Sequence, residues 1–272
     1  MKIGILQMTS GIDPGANAAT LEAAIADAAA QGAAMLFTPE MSGLLDSNGA
    51  RGGAHVADEA DDVVLARVCA AAERAGIWVH LGSLAVKADG GRWANRSFVI
   101  DATGAVVARY DKIHLFDVDL PTGESWRESA RYAPGLDTAV VETPLGKLGL
   151  AICYDMRFPT LFQALSGAGA TILSVPAAFT VPTGQAHWHT LLRARAIENA
   201  CWLVAAAQVG THEDGRQTYG HSLVVDPWGR VVLDLKERAG LGICEIDATV
   251  VEDVRARVPV IAHRRAILAP VA

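Results

Sequence analysis

Four cysteines, Cys69, Cys153, Cys201 and Cys244, are the first residues of this 272-residue chain that could do chemistry. They form no CxxC pair and no tight Cys/His cluster, which excludes a zinc ribbon, a thioredoxin-type site and a disulfide framework. Cys153 differs from the others because it follows the apolar strand pattern LGLAI and precedes the polar residues YDMR. Strand ends are where α/β proteins place ligands and expose backbone N–H groups. Cys153 is therefore the candidate nucleophile, and the other three are expected in the core.

A nucleophilic thiol needs a base and a group that stabilises developing negative charge, and two segments offer them. Glu40 follows a short apolar strand in FTPEMSG, and its apolar neighbours are expected to raise its pKa towards neutrality. Lys112 follows another predicted strand in RYDKIHLF, where an inward-pointing lysine would be buried. The alternative for both is a solvated surface charge, the usual state of a lone glutamate or lysine.

Composition and spacing exclude several kinds of partner. A net charge of −7 argues against nucleic-acid and anionic-membrane partners, and no apolar run reaches the length of a membrane span. There is no HExxH, and His187 and His189 diverge on a helix, so we expect no metal and no cofactor. The first residues, MKIGILQMTS, are typical of a strand rather than a signal peptide, which predicts a cytoplasmic protein with reduced thiols.

Strand and helix patterns alternate along the chain and indicate an α/β fold. Residues 111–136, rich in Pro, Gly, Ser and charge, are predicted to form a long loop, which in compact domains is often functional. Helices are predicted over 18–31, 58–75, 159–167 and 187–199. Strands are predicted over 3–8, 35–38, 77–84, 97–101, 105–110, 148–152, 171–175, 202–207, 223–226, 231–235 and 242–246.

The two halves of the chain resemble each other in three segments that occur in the same order. The matching ranges are 32–39 with 169–176, 77–79 with 201–203, and 97–107 with 222–232. Chance similarity between βα units is the alternative, but three ordered matches favour an internal pseudo-repeat. Two such units would pack sheet against sheet with helices outside. We predict one domain, residues 1–272, folded as a four-layer α-β-β-α sandwich.

Three segments together resemble a known family. FTPEMSG with Glu40, RYDKIHLFDVDLP with Lys112 and GLAICYDMRFP with Cys153 are similar to the Glu-Lys-Cys triad motifs of the nitrilase, or carbon–nitrogen hydrolase, superfamily. Their spacings, 72 and 41 residues, fit that pattern. Glu128, in GESWRESARYAPG, resembles a second glutamate near the site in this superfamily. The resemblance extends over essentially the whole chain.

The resemblance implies amide hydrolysis with release of ammonia, through a thioester on Cys153. Glu40 would take the thiol proton, pass it to the leaving group and then activate water. Lys112 and the backbone N–H of Tyr154 would stabilise the oxyanion, and Glu128 would orient the amide or hold Lys112. A buried lysine cation would also be expected to lower the thiol pKa.

Within the superfamily, KIHLFDVDLP, CYDMRFP, GQAHWHTLLRARAIEN and YGHSLVVDPWG are similar to the branch of deaminated glutathione amidases and omega-amidases. This implies a small amide substrate with a carboxylate, which Arg157 would bind in bidentate fashion. The alternative for Arg157 is a structural ion pair with Asp155 or another carboxylate. Phe179 and Thr183 would line the same pocket, and Gln185 departs at its rim from the proline usual in relatives.

Other activities stay open at this point. They are an omega-amidase acting on α-ketoglutaramate and an N-carbamoyl amino acid amidohydrolase, which would release carbon dioxide with ammonia. A non-catalytic scaffold is a further alternative, against which the complete triad argues. The resemblance also implies a homodimer or a larger homo-oligomer, to which the predicted 187–199 helix or the arginine-rich tail would contribute.

Overall fold

A computed structural model describes residues 1–120 and 123–267 of the chain. The end of the arginine-rich tail, residues 268–272, and the proline of KIHLFDVDLP lie outside the described residues. The strands are β1 (Lys2–Gln7), β2 (Met35–Phe37), β3 (Trp78–Lys87), β4 (Trp93–Ile100), β5 (Val106–Asp111), β6 (Asp117–Asp119), β7 (Ser125–Arg127), β8 (Val140–Thr143), β9 (Gly146–Leu150), β10 (Ile172–Ser174), β11 (Trp202–Ala205), β12 (Val209–Thr211), β13 (Gln217–Tyr219), β14 (Leu223–Val225), β15 (Val231–Asp234) and β16 (Gly240–Glu245). The helices are α1 (Pro14–Ala30), α2 (Gly49–Gly53), α3 (Val63–Ala75), α4 (Pro159–Gly167), α5 (Val181–Asn199) and α6 (Thr249–Arg257).

Most strands lie in two six-stranded mixed sheets of the same topology. The first has the order β16-β1-β2-β3-β4-β5 and the second the order β15-β14-β11-β10-β9-β8. Three neighbouring strands run parallel in each, β1-β2-β3 and β9-β10-β11, and antiparallel strands complete both edges. The predicted pseudo-repeat is confirmed at the level of sheet topology.

Glycines at matching positions of the two halves allow a helix to approach each sheet closely. A Cβ on Gly4 of β1 would lie 3.1 Å from Ala28 of α1, and one on Gly149 of β9 would lie 3.0 Å from Leu165 of α4. Side chains alternate along a strand, so the flanking residues face the opposite sheet. These are Ile3, Ile5, Leu148 and Leu150, which belong to one buried core.

Helices cover the outer faces of both sheets. α1 and α3 bury Leu21, Ile25 and Val68 against the first sheet, and α4 and α5 bury Phe162 and Trp188 against the second. This arrangement confirms the predicted four-layer α-β-β-α sandwich. No helix of the described part of the chain is long and apolar enough to cross a membrane.

The observed elements differ from the predicted ones mainly where polar or small residues form a helix or strand without the usual hydrophobic pattern. α5 begins at Val181, before the predicted 187, with a proline in the first turn, where its missing N–H costs nothing. α3 begins at Val63 rather than 58, because Asp62 caps it by accepting from the N–H of Leu65 at 2.8 Å. The predicted loop 111–136 contains the β6–β7 hairpin, and α2, α6, β8, β12 and β13 were not predicted.

His80 joins the two sheets at their interface. It lies fully buried on β3, with Nε2 2.8 Å from the Ser97 hydroxyl and Nδ1 3.0 Å from the hydroxyl of Ser174 in the other sheet. Burial lowers the pKa of His80 to about 3. The ring therefore stays neutral in the folded protein under conditions in which an exposed histidine becomes charged.

Because its folded pKa lies below its unfolded value, His80 stabilises the fold fully above about pH 6.5 and progressively less as the pH falls towards 3. When the pH falls from about 7 to about 5.5, we expect the contribution of His80 to the free energy of unfolding to decrease by about 1 kcal/mol. Urea unfolding at both pH values measures this decrease. In His80→Gln, whose side chain does not titrate, the part of this decrease that comes from His80 should be absent. A pH dependence equal to that of the wild type would contradict the assignment.

Candidate active site

The structure brings Glu40, Lys112, Glu128 and Cys153 into one cavity between the two repeats. Glu40 and Cys153 follow parallel strands of different sheets, β2 and β9. Lys112 follows the edge strand β5, and Glu128 follows the β6–β7 hairpin. The site is thus assembled from both halves, although each side chain comes from a local strand-to-turn transition.

Cys153 occupies a sharp turn between β9 and a 3₁₀-helix, Cys153–Arg157. Its φ of 48° lies in the left-handed region, which is unfavourable for a residue with a Cβ. Its N–H donates to the carbonyl of Pro176 at 2.9 Å, and the residue is 7% exposed. In such a turn, the nucleophile lies next to the backbone N–H groups at the start of the following helix, which have no partner within the helix. The first of these after Cys153 is the N–H of Tyr154.

A buried ion cluster holds Lys112 between two carboxylates. Its Nζ lies 2.9 Å from Oε1 of Glu40 and 3.1 and 2.9 Å from Oε1 and Oε2 of Glu128. The lysine side chain is only 2% exposed, and those of Glu40 and Glu128 are 6% and 12% exposed. Burial lowers the pKa of Lys112, but attraction to Glu128, Glu40 and Cys153 raises it well above its ordinary value, so the lysine is charged.

Asn95 is part of this cluster and was missed from the sequence. Its Nδ2 donates to Oε1 of Glu40 at 2.9 Å and to Oε1 of Glu128 at 3.0 Å, so one amide bridges both carboxylates. It lies on β4, in the pattern WANRSFVI, where a single asparagine in a buried strand is the only signal. That signal is weak, because the position of a polar residue in a strand pattern does not show whether its side chain reaches the active site.

The environment of Glu40 differs from the sequence expectation. Burial raises its pKa as expected, but the charge of Lys112 and the hydrogen bonds from Lys112 and Asn95 outweigh this effect and leave the pKa below the ordinary value. The N–H of Ala178 also donates to Oε2 of Glu40 at 2.8 Å. The expectation of a raised pKa was wrong, since apolar sequence neighbours say nothing about the cation that the fold brings in.

The thiol of Cys153 also differs from the expectation. Burial and the negative charge of Glu40 raise its pKa well above the ordinary value, although Lys112 lowers it. The resting state is therefore a neutral thiol beside an ionised carboxylate rather than a thiolate paired with lysine. In this state attack on a substrate requires the proton to move to Glu40 as the bond forms.

Asp155 fixes the nucleophile turn to the segment that carries Lys112. Its carboxylate, fully buried, accepts from the Tyr110 hydroxyl at 2.7 Å, the N–H of Ile152 at 2.9 Å and the N–H of His114 at 3.0 Å. Nδ1 of His114 lies 2.7 Å from the same carboxylate. Arg157 is absent from these contacts, so the suggested Arg157–Asp155 ion pair does not form.

Arg157 lies outside the wall of the cavity. Its guanidinium carbon is 5.8 Å from the ring centroid of Tyr154 and 5.4 Å from that of Phe179, with both Nη atoms 3.4 Å from Nδ1 of His187. It is not among the residues that line the cavity. Its predicted contact with a substrate carboxylate therefore stays a prediction that this geometry does not favour.

The cavity itself measures about 450 Å³, within the range of small-molecule sites. Phe179 and Thr183 lie in its wall as predicted, although Thr183 belongs to the first turn of α5 rather than to a loop. Gln185 is exposed on the same helix and is not a wall residue. The charged residues of the wall are Glu40, Asp46, Glu128, Lys112, Arg127, Arg131 and Arg216.

A separate group of potential metal ligands, His189, His221 and Asp234, also comes together in the described structure. Asp234 already accepts from Lys236 at 2.8 Å and lies 3.0–3.1 Å from the two imidazoles. His187 is not part of this group. The group lies outside the cavity that holds Cys153.

Comparison with known proteins agrees with this geometry. The family model described as carbon-nitrogen hydrolase matches residues 2–256. The chain belongs to the carbon–nitrogen hydrolase family. A deaminated glutathione amidase of Yersinia enterocolitica is 41% identical over 97% of this chain and 92% of its own length.

Two solved structures extend the likeness to this carbon–nitrogen hydrolase. The Caenorhabditis elegans NitFhit protein superposes with a TM-score of 0.90 at 40% identity, over 97% of this chain and 65% of that one. The chain thus spans about two thirds of that fusion protein. An amidase from Nesterenkonia sp. AN1 superposes with a TM-score of 0.80 at 30% identity, over 95% of this chain and 98% of that one. That structure is of a glutamate-to-glutamine mutant, in which acrylamide has undergone Michael addition at the active-site cysteine.

Asn95→Ala should lower kcat/KM by roughly tenfold to a hundredfold, because two hydrogen bonds to carboxylates are lost in a buried site. The variant also removes one of the interactions that lower the pKa of Glu40, so the acidic limb of the pH–rate profile should move to higher pH. Steady-state kinetics across pH measure both effects. A loss of activity without any displacement of the acidic limb would indicate a purely structural role.

Proposed function

We propose that this carbon–nitrogen hydrolase cleaves the C–N bond of small linear amides that carry a carboxylate, with deaminated glutathione as the first substrate to test. The observation that carries the proposal is the buried contact of Lys112 with Glu40 beside the Cys153 thiol. The deaminated glutathione amidases of similar sequence support the substrate.

In the first half-reaction, Cys153 attacks the amide carbon and its thiol proton moves to Glu40. The negative charge that develops on the amide oxygen is stabilised by the Lys112 ammonium and the backbone N–H of Tyr154. The C–N bond then breaks, and the leaving nitrogen takes the proton from Glu40. The substrate acyl group is left as a thioester on Cys153.

In the second half-reaction, Glu40 removes a proton from water as the water oxygen attacks the thioester carbon. The same oxyanion contacts stabilise the second tetrahedral intermediate. The C–S bond breaks, Cys153 regains its proton from Glu40, and the acid product leaves. Glu128 accepts from Lys112 through both carboxylate oxygens, which keeps the ammonium in place through both steps.

The leaving group distinguishes the candidate substrates. Deaminated glutathione contains only secondary amides, so its hydrolysis yields an amine rather than the ammonia that the resemblance implied. Hydrolysis of α-ketoglutaramate, a primary amide, yields ammonia. An N-carbamoyl amino acid yields ammonia together with carbon dioxide. Measuring amine, ammonia and carbon dioxide over this panel therefore separates the leading function from both alternatives.

A homo-oligomer and a cytoplasmic location are retained as parts of the proposal. Trp188 and Leu192, apolar residues of the helix suggested for the subunit contact, are fully buried within one subunit. The same helix exposes Ile197, and the neighbouring β14–β15 turn exposes Trp228. A contact between copies would use these exposed residues, and light scattering of the purified protein measures the oligomeric state.

Cys153→Ala should reduce amide hydrolysis by at least about ten-thousandfold, because the thioester cannot form. Circular dichroism should show an intact fold, since the thiol is replaced by a smaller apolar group. Cys69→Ala, a matched substitution of a half-buried cysteine on α3, is the control and should keep the wild-type rate. Hydrolysis that persists in Cys153→Ala would exclude the mechanism.

A further inference from the structure

Arg216 and Trp126 form a stacked pair in the wall of the cavity that holds Cys153. Arg216 directly precedes β13, and Trp126 lies in β7. The guanidinium carbon lies 4.5 Å from the centroid of the indole ring. Neither side chain has a role in the two half-reactions.

Each member of the pair carries an N–H donor without an acceptor in the part of the chain that the structure describes. Nε of Arg216 and Nε1 of Trp126 are shielded from solvent and make no hydrogen bond there. A buried donor in this state is destabilising, so native proteins rarely keep one without a use. Two such donors on stacked side chains in the wall of one cavity point to an acceptor on the ligand.

The charge of Arg216 is loosely paired within the protein. Its Nη2 lies 3.8 Å from Oδ2 of Asp214, beyond hydrogen-bond distance. Asp214 instead accepts from the N–H of Ser47 at 2.7 Å and from the N–H of Arg216 itself at 2.9 Å. These bonds hold the loop in place and leave the guanidinium able to bind another anion.

The other cations of the cavity wall are either paired with carboxylates or exposed to solvent. Arg127 donates to both carboxylate oxygens of Asp119 at 2.8 Å, and Lys112 is held by its two glutamates. Arg131 is exposed and is directed at the carbonyl of Ser47 at 3.4 Å. Arg216 is therefore the cation whose donors are best placed for a ligand.

We propose that Arg216, together with the indole N–H of Trp126, binds a substrate carboxylate remote from the amide carbon that Cys153 attacks. Guanidinium and carboxylate form a planar pair with two hydrogen bonds, and stacking on the indole fixes the plane of the guanidinium. The ligand class is the linear amides of carboxylic acids. The inference rests on the proposed hydrolysis and adds Arg216 to the residues that would bind the substrate.

Kinetics with a matched pair of substrates test the assignment: deaminated glutathione and its dimethyl ester, in which both carboxylates are neutralised. For Arg216→Gln we expect KM of the acid to rise by about tenfold to a hundredfold and KM of the ester by less than about threefold. The value of kcat should change little. Arg216→Lys keeps the charge without the planar guanidinium and should give an intermediate rise in KM of the acid. Trp126→Phe, which removes the N–H donor but keeps an aromatic ring, should give a smaller rise.

Arg230→Gln is the matched control, because Arg230 is exposed, pairs with Asp226 and lies outside the cavity wall. It should leave both KM values unchanged. Arg157→Gln tests the competing residue. If Arg157→Gln raises KM of the acid alone and Arg216→Gln does not, or if Arg216→Gln raises KM of acid and ester equally, the proposal is overturned.

A binding experiment separates the subsite from the reaction. Glutarate, a small dicarboxylate, is titrated calorimetrically into the Cys153→Ala protein with and without Arg216→Gln. Binding that falls at least about tenfold with Arg216→Gln supports the subsite even if no amide in the panel is hydrolysed, an outcome that would overturn the proposed function alone. Absent glutarate binding, or binding independent of Arg216, overturns the subsite.

Discussion

The buried Lys112 ammonium between Glu40 and Glu128 is the interaction on which the rest of the site depends. A buried cation is costly to desolvate unless excellent geometry and further hydrogen bonds compensate it. Here the two carboxylates supply the charge, and Asn95 and the N–H of Ala178 supply the hydrogen bonds. Removing one member would leave another charge buried and unpaired, so the cluster constrains all the turns that carry it.

This cluster decides the protonation states from which the chemistry starts. Lys112 keeps Glu40 ionised, and Glu40 in turn keeps the Cys153 proton in place. The thiol proton of Cys153 is therefore transferred to Glu40 during the attack on the substrate, rather than being lost before the substrate binds. Asp155 fixes the positions of these groups, because it accepts hydrogen bonds from Tyr110, Ile152 and His114. These bonds connect the turn that carries Cys153 to the segment that carries Lys112.

Much of the fold was predictable because its signals are local and repeated. Strand patterns that occur in the same order in the two halves predicted two similar units. Gly4 and Gly149 allow a helix to pack close to the sheet in each unit, because neither has a Cβ. Element boundaries were less predictable where capping decides them, as Asp62 does for α3. The β6–β7 hairpin escaped prediction because its residues are polar and its pairing is read only from the fold.

The sequence by itself determined the family, the layered α/β architecture and the identity of the candidate triad, because these depend on motifs and on periodicity along the chain. The tertiary structure alone decided the electrostatics and the cavity wall. It reversed the expected pKa shifts of Glu40 and Cys153, brought Asn95 into the cluster, and placed Arg216 rather than Arg157 in the wall. The reason is physical: charge interactions depend on distances between segments far apart in sequence, and no local pattern encodes them.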